Sequence, residues 1–374
     1  MISEKVPPLR VLSLDGGGMR GTYTATYLDR VASSFAMRRG VTALDIGAAF
    51  DLIVGTSTGG IIACALAAGI PLAEIVNLYK ENGPAIFPRP LPSGMWTVVS
   101  DLRKRPTALS AGTASLRAAL GRSFKEKTLG QIYAERGIAL AIPAVELSQH
   151  RGWVFKTPHL GGTTNHRDDN YKLVDVCLAT SAAPIYRSLA AVDHPDGGGG
   201  FNVFADGGLW ANNPVLVGLV EALDIATLNQ EIQIFSLGTC SMPAGEDIAR
   251  DAVNRSLLDW KFGGAAAGLG IDAQEFALDQ IARKLARHVD RKCTIIRFPS
   301  ARIPAALIPY LGLDETRPKA IEALINQARL DADLTNSKCA HPGTDPEAAL
   351  ICSLFASAPQ LTYPLNARKR QALP

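Results

Sequence analysis

The sequence lacks the patterns that mark secreted, metal-binding and nucleic-acid-binding proteins. Its six cysteines include no C-x-x-C pair, so neither a zinc site nor a disulfide framework is indicated and we expect a reducing compartment. The formal net charge of +3 over 374 residues is too small to indicate a nucleic acid polymer as partner, although it permits transient contact with an anionic lipid surface. No apolar run follows a basic start, so we expect no secretory signal and a cytoplasmic protein.

The composition that remains is that of an ordinary globular protein, with 47% hydrophobic and 20% charged residues. Apolar strand-like segments alternate with helical segments up to about residue 242, and the sequence beyond is mainly helical. This pattern predicts an α/β core over residues 1–242 and a helical C-terminal region over residues 243–374 that packs on it. The sequence contains no internal repeat, and nothing in it sets an oligomeric state.

The segment Leu52–Gly69 is organised around one serine. Its first three residues predict a buried strand, and the G-x-S-x-G pattern centred on Ser57 is typical of a nucleophile elbow, a sharp strand-to-helix turn that exposes a serine hydroxyl. Side chains at Gly55 and Gly59 would collide with the neighbouring strand and helix. Two alternatives are a serine that only caps the helix and a membrane span without charge, but the glycines and Pro71 favour a strand, an elbow and a helix over a span.

A glycine-rich turn, Asp15–Gly21, joins a first apolar strand to a helix. Such a turn exposes backbone N–H groups at the positive end of a helix and can bind an anion. A dinucleotide site would need an acidic residue after a second strand, and Asp45 is near that spacing without a convincing strand before it. A P-loop would need Gly-Lys-Ser or Gly-Lys-Thr, which is absent. The serine one βα unit later favours an oxyanion hole.

The base for this serine is predicted to be an aspartate. The usual order along the chain for an elbow serine is Ser, then Asp or Glu, then His. Only His288 and His341 follow Asp206, and neither lies in a position typical of a catalytic histidine. Asp206 ends an apolar strand and precedes two glycines, where α/β sheets present catalytic groups. A partly desolvated carboxylate can accept a serine proton directly. The alternative for Asp206–Gly208 is a plain turn.

Three motifs therefore occur in order, each after an apolar strand: Asp15–Gly21, Gly55–Gly59 and Asp206–Gly208. Together they resemble the patatin-like phospholipase family, and Ala179–Pro184 and Asn212–Pro214 also look like that family's flanking sequence. The resemblance covers about residues 9–238. It implies a three-layer α/β/α sandwich with a largely parallel central sheet and a helical C-terminal elaboration.

The resemblance also implies a chemistry, in which a Ser-Asp dyad without histidine hydrolyses acyl esters of glycerophospholipids through an acyl-serine. No metal and no other cofactor is expected, because the dyad and an oxyanion hole supply the nucleophile, the base and the charge stabilisation. The residues implied are the nucleophile Ser57, its base Asp206, the oxyanion-hole glycines Gly16, Gly17 and Gly18 with Arg20 bracing their loop, and the supporting glycines Gly55, Gly59, Gly207 and Gly208.

Within the family, the stretch Tyr79–Phe87 resembles bacterial effectors that degrade membranes in antiphage defence when a cyclic nucleotide activates them. This implies a cyclic nucleotide activator, a phospholipid substrate, peripheral contact with the inner membrane and a regulatory role for the C-terminal helices. The proline-rich stretch Pro84–Pro106 predicts irregular structure, either a lid with a membrane-facing patch or a loop packed on its own domain.

Two other functions stay open. An acyltransferase would use the same acyl-serine but transfer the acyl group to an acceptor other than water. A nucleotide-binding module would hold phosphates on the glycine-rich turn, and Ser57 would then only cap a helix.

Overall fold

The computed structural model describes residues 6–88, 95–161, 163–240, 248–256, 259–260, 264–299 and 303–362. The strands in these ranges are β1 (Leu9–Leu14), β2 (Leu52–Gly55), β3 (Ala139–Glu146), β4 (Arg151–Lys156), β5 (Ala190–Asp193), β6 (Phe201–Asp206), β7 (Ile232–Leu237) and β8 (Cys293–Phe298). The helices are α1 (Gly21–Arg38), α2 (Thr58–Ala67), α3 (Leu72–Ile86), α4 (Met95–Phe124), α5 (Leu129–Arg136), α6 (Leu173–Thr180), α7 (Gly208–Ala211), α8 (Val215–Ile225), α9 (Gly264–Leu285), α10 (Pro318–Ala340) and α11 (Pro346–Ser357).

All the strands belong to one sheet that is largely parallel at its centre. The strand order is β5-β6-β3-β2-β1-β7-β8, and β4 pairs with β3 outside this path. Strands β3, β2, β1, β7 and β8 run parallel to one another, whereas β4, β5 and β6 form antiparallel pairs. The predicted fold class is therefore confirmed.

Helices cover both faces of the sheet because its central strands are apolar on both sides. Successive side chains of a strand point to opposite faces. Leu12 and Ile53 belong to the core shared with α1, α2, α3 and α10, whereas Val11 and Val54 belong to the core on the other face with α8 and Ala282 of α9. The result is three layers, with the ends of the parallel strands free to carry the site.

The C-terminal region contributes to both the sheet and a helical layer. The apolar stretch Thr294–Phe298 predicts an edge strand within this region, and the structure confirms it, since β8 extends the sheet beside β7 as a parallel edge strand. α10 packs along α1, where Tyr23 donates its hydroxyl hydrogen bond to Asp331 at 2.6 Å and Tyr27 shares a 2.7 Å hydroxyl contact with Thr335. The domain boundary at residue 242 stays a prediction, since residues 241–247 lie outside the described ranges.

Several local predictions differ from the structure. Pro84 lies in the last turn of α3 and Pro106 lies inside α4, so most of the stretch predicted as irregular is helical. Tertiary packing outweighs the weak local preference of a proline-containing stretch. The lid and membrane-facing patch fall partly on residues 89–94, outside the described ranges. The sequence predicts that Leu129–Ile132 closes a helix, whereas in the structure Leu129 begins α5, where Thr128 and Gln131 form a capping box.

The uncharged stretch after Leu52 is a strand, an elbow and a short helix, as predicted. α2 ends at Ala67, and Gly69 adopts the left-handed backbone with φ of 69° that terminates many helices. None of the described helices is both long and apolar enough to cross a membrane.

Candidate active site

Strands β2 and β6 run in opposite directions along β3 and bring Ser57 and Asp206 together. β2 runs parallel to β3 and pairs with it up to Ala141, whereas β6 runs antiparallel and pairs with it from Ala144 onward. β4 occupies the opposite edge of β3 over that stretch. The carboxyl ends of β2 and β6 therefore meet along one edge of β3, near Pro143. This places the turn after β2 beside the last residue of β6.

The turn after β2 has the backbone geometry of a nucleophile elbow. Ser57 has φ of 55° and ψ of −123°, a conformation that non-glycine residues rarely adopt and that is typical of this turn. A Cβ at Gly55 would collide with the Gly59 carbonyl, and a Cβ at Gly59 would collide with the Leu14 carbonyl. The two glycines are thus required by the close packing of the turn against α2 and β1.

Ser57 and Asp206 are in direct contact. The Ser57 hydroxyl donates a hydrogen bond to Asp206 Oδ2 at 2.7 Å, and the Gly208 N–H donates one to Asp206 Oδ1 at 2.6 Å. Burial raises the pKa of Asp206 to about 6, against the opposing effects of these two hydrogen bonds and of the Arg187 guanidinium. At neutral pH Asp206 is therefore a carboxylate that is poorly solvated and aligned to accept the serine proton.

Thr180 links the two halves of this site. Its hydroxyl donates to the Pro143 carbonyl at 2.6 Å and accepts from the Ser57 N–H at 3.0 Å. The Gly207 N–H donates to the Thr180 carbonyl at 3.2 Å, and a Cβ at Gly207 would collide with the Pro143 carbonyl. The sequence signalled this residue only as part of the flanking Ala179–Pro184 stretch and gave it no role.

The glycine-rich loop lies beside the serine, and only part of it is available to an anion. A Cβ at Gly16 would lie 3.2 Å from Ser57 Cβ. The Gly16 N–H already donates to the Asn212 carbonyl at 2.9 Å, so the predicted three-donor hole differs from the geometry found. Among the described residues, the N–H groups of Gly17 and Gly18 have no hydrogen-bond partner. Arg20 donates to the Gly17 carbonyl from its backbone N at 3.0 Å and from Nε at 3.4 Å.

The C-terminal region covers this loop. Gly18 has φ of 56°, and a Cβ there would collide with the Leu313 carbonyl. The same carbonyl accepts a hydrogen bond from the Met19 N–H at 2.8 Å. Glycine is thus required at position 18 both by the backbone conformation and by the close approach of the segment before α10.

A buried ionic network fixes Asp15, the first residue of the glycine-rich loop. Asp15 is fully buried and accepts from Arg297 Nη2 of β8 at 2.5 Å, and the same nitrogen donates to Glu275 Oε1 of α9 at 2.8 Å. Glu275 Oε2 in turn accepts from Asn212 Nδ2 at 3.1 Å. Burial raises the pKa of Asp15, and the Arg297 guanidinium opposes that shift. The roles of Arg297 and Glu275 could not be predicted from the sequence, because no local pattern signals a contact between residues so far apart.

Arg187 adds positive charge near the dyad. Its side chain is buried, and Nε and Nη1 have no hydrogen-bond partner among the described residues. Burial lowers the pKa of Arg187 to about 10, and its charge lowers the pKa of Asp206. The guanidinium therefore favours the ionised form of the carboxylate that contacts Ser57.

Other candidate groups lie elsewhere. None of the described histidines hydrogen-bonds to Ser57 or Asp206, and His159 instead contacts Glu221 at 3.0 Å and Thr157 at 2.8 Å. The described part of the chain holds no group of three or more His, Cys, Asp or Glu side chains placed to bind a metal ion.

Comparison with known proteins agrees with the fold and the motifs. Residues 12–219 match the family described as Patatin-like phospholipase. The chain belongs to this family and is a lipid acyl hydrolase.

Several similar proteins carry a more specific name. A cGAMP-activated phospholipase from Pseudomonas aeruginosa is 36% identical over 284 residues, which cover 75% of this chain and 76% of that protein. One from Escherichia coli is 33% identical over 336 residues, which cover 88% of this chain and 85% of that protein. One from Vibrio cholerae is 34% identical over 247 residues, which cover 62% of this chain and 64% of that protein.

Proposed function

We propose that Ser57 and Asp206 form the catalytic dyad of a phospholipase A-type enzyme that cleaves acyl esters of glycerophospholipids. The observation that carries this proposal is the 2.7 Å hydrogen bond from the Ser57 hydroxyl to a buried carboxylate, made from an elbow conformation. A serine hydroxyl is a weak nucleophile unless a positioned base takes its proton, and this contact supplies that base.

The first half of the reaction forms an acyl-serine. Ser57 Oγ attacks the ester carbonyl carbon while its proton passes to Asp206 Oδ2. The carbonyl oxygen becomes an oxyanion, which the N–H groups of Gly17 and Gly18 stabilise. Collapse of this intermediate breaks the ester bond, and the departing lysophospholipid oxygen takes the proton back from Asp206.

The second half releases the fatty acid. Asp206 accepts a proton from water as the water oxygen attacks the acyl-serine carbonyl, and the same N–H groups stabilise the second oxyanion. Ser57 leaves as the alkoxide and recovers its proton from Asp206. A single carboxylate thus serves as base and then acid in each half.

The geometry favours this function over the alternatives. Ser57 makes no side-chain hydrogen bond to the N–H groups of α2, so it does not act as a helix cap as the nucleotide-binding module would require. An acyltransferase would share the dyad, and the products separate the two enzymes: free fatty acid for a hydrolase, a transferred acyl chain for a transferase.

Regulation is proposed from the relatives. Three proteins that are 33–36% identical are named cGAMP-activated phospholipases. We propose that a cyclic nucleotide likewise activates this enzyme, which then contacts the inner membrane from the cytoplasm and degrades its phospholipids as a defence effector.

Mixed phospholipid vesicles incubated with the protein, with and without cGAMP, test both proposals. We expect mass spectrometry to detect free fatty acid and lysophospholipid, in larger amounts when cGAMP is present. Ser57→Ala should abolish release, whereas the matched control Ser337→Ala, at an exposed position on α10, should not. Product release by Ser57→Ala would contradict the assignment of the nucleophile.

A further inference from the structure

A cavity of about 280 Å³ lies where α1, α3 and α10 meet, away from the dyad. Polar residues of all three helices line it, among them Thr26, Asp29 and Arg30 of α1, Asn77 and Lys80 of α3, and Arg329 of α10. The cavity therefore joins two helices of the α/β core to the longest described helix of the C-terminal region.

The lining carries more positive than negative charge. Arg30 pairs with Asp333 at 2.8 Å, but Lys80 and Arg329 form no hydrogen bond or ion pair with the described residues. The one acid, Asp29, is partly buried, which raises its pKa, and Arg329 opposes that shift. Two cations on different helices, neither of which forms a hydrogen bond with the described residues, can therefore bind an anion placed between them.

A buried hydroxyl also lacks a partner there. Thr26 is only 5% exposed, and its Oγ1 makes no hydrogen bond within the described part of the chain. A buried donor without an acceptor costs free energy, so such a group points to a ligand that completes it. A phosphate oxygen can accept from this hydroxyl and pair with Lys80 and Arg329 at the same time.

We propose that this cavity binds a phosphate group of the activating cyclic nucleotide, with Thr26, Lys80 and Arg329 as its partners. The inference rests on the activation proposed above. The cavity volume of about 280 Å³ lies just below the range for pockets that enclose a drug-sized ligand, about 300–1,000 Å³. The cavity therefore holds the phosphate and its adjoining ribose, and the bases lie outside its mouth.

Helix α3, which carries Lys80, and the segment before α10, the helix that carries Arg329, both contact the catalytic region. Tyr79, next to Lys80, donates its hydroxyl hydrogen bond to the carbonyl of Thr58, the residue after the nucleophile, at 3.3 Å. The segment before α10 holds the glycine-rich loop through the Met19 N–H and the Leu313 carbonyl. A phosphate that binds Lys80 and Arg329 together changes the relative position of α3 and α10, and through them the elbow and the loop.

Three variants test the site. Thr26→Val removes only the unpartnered hydroxyl, so we expect an unchanged or higher melting temperature together with weaker binding. Arg329→Gln removes one free cation, and Lys338→Gln removes an exposed cation from the same helix as a matched control. The readouts are the Kd of cGAMP by titration calorimetry and the ratio of vesicle hydrolysis with and without cGAMP.

We expect the Kd of cGAMP to rise at least about tenfold in Thr26→Val and Arg329→Gln, with a matching loss of activation, and to stay unchanged in Lys338→Gln. Wild-type affinity in both site variants would overturn the site while the proposed activation stands. Hydrolysis by a wild-type protein that does not bind cGAMP would overturn the activation itself and leave the dyad untouched. Competition by glycerophosphoglycerol, a lipid headgroup, at cGAMP-like affinity would overturn the assignment to a nucleotide.

Discussion

Replacing Asp206 by asparagine should make the folded protein more stable at neutral pH. The Asp206 carboxylate is buried, and its pKa rises from 3.8 to about 6. Asparagine keeps the same shape, its oxygen can accept from the Gly208 N–H, and its amide can donate to Ser57 Oγ. The variant therefore removes a poorly solvated charge and keeps a hydrogen bond at each of these two contacts.

The magnitude follows from the pKa shift. A rise of about two pH units corresponds to about 3 kcal/mol, because each unit is worth about 1.36 kcal/mol. The folded state binds the Asp206 proton more tightly than the unfolded state. The cost is therefore absent below pH 4, grows as the pH rises from about 4 to 6, and is complete above pH 6.

Urea unfolding of wild type and Asp206→Asn at several pH values between 4.5 and 8 measures this difference. We expect the two free energies of unfolding to differ by about 1 kcal/mol at pH 4.5 and by about 3 kcal/mol, in favour of the variant, at pH 8. All other titrating groups are common to both proteins, so the pH dependence of the difference isolates Asp206. A variant less stable than wild type at pH 8, or a difference independent of pH, would refute the argument.

Two further predictions concern the charges around the dyad. Because Asp206 acts only as a carboxylate, kcat/KM should fall about tenfold for each pH unit below pH 6, and this acidic limb of the pH–rate profile should move to higher pH in Arg187→Gln, since Arg187 lowers the pKa of Asp206. A pH–rate profile on a soluble short-chain ester checks both predictions. An acidic limb that does not move in the variant would count against the role of Arg187. Arg297→Leu leaves Asp15 buried without its cation and should lower the free energy of unfolding by about 3–5 kcal/mol in urea titrations, whereas a loss under about 1 kcal/mol would show that the network is dispensable.

The parts of the fold that depend on local pattern could be predicted from the sequence. Apolar runs identified β1, β2 and β6, and the glycines around Ser57 identified the elbow, because these positions tolerate no side chain. Asp206 was found because it ends a strand and precedes two glycines. The antiparallel approach of β6 could not be predicted, since strand direction is set by pairing with β3 rather than by the residues of β6.

The parts that depend on contacts between distant residues could not be predicted. Arg297 reaches Asp15 across 282 positions, and Leu313 reaches Met19 from the C-terminal region. Neither contact has a periodicity or a motif, so the support that the C-terminal region gives to the glycine-rich loop became visible only in three dimensions. The helix around Pro106 was missed for a related reason, because packing can override local preference.

Labelling with an alkyl fluorophosphonate tests the central claim most directly. The Ser57 oxygen should displace fluoride from phosphorus and form a stable adduct, which peptide mass spectrometry would assign to Ser57. If Asp206 takes the serine proton, labelling should be at least about a hundredfold slower in Asp206→Asn and absent in Ser57→Ala. Rapid labelling of Asp206→Asn at Ser57, or an adduct on another residue of the wild-type protein, would contradict the Ser57–Asp206 dyad.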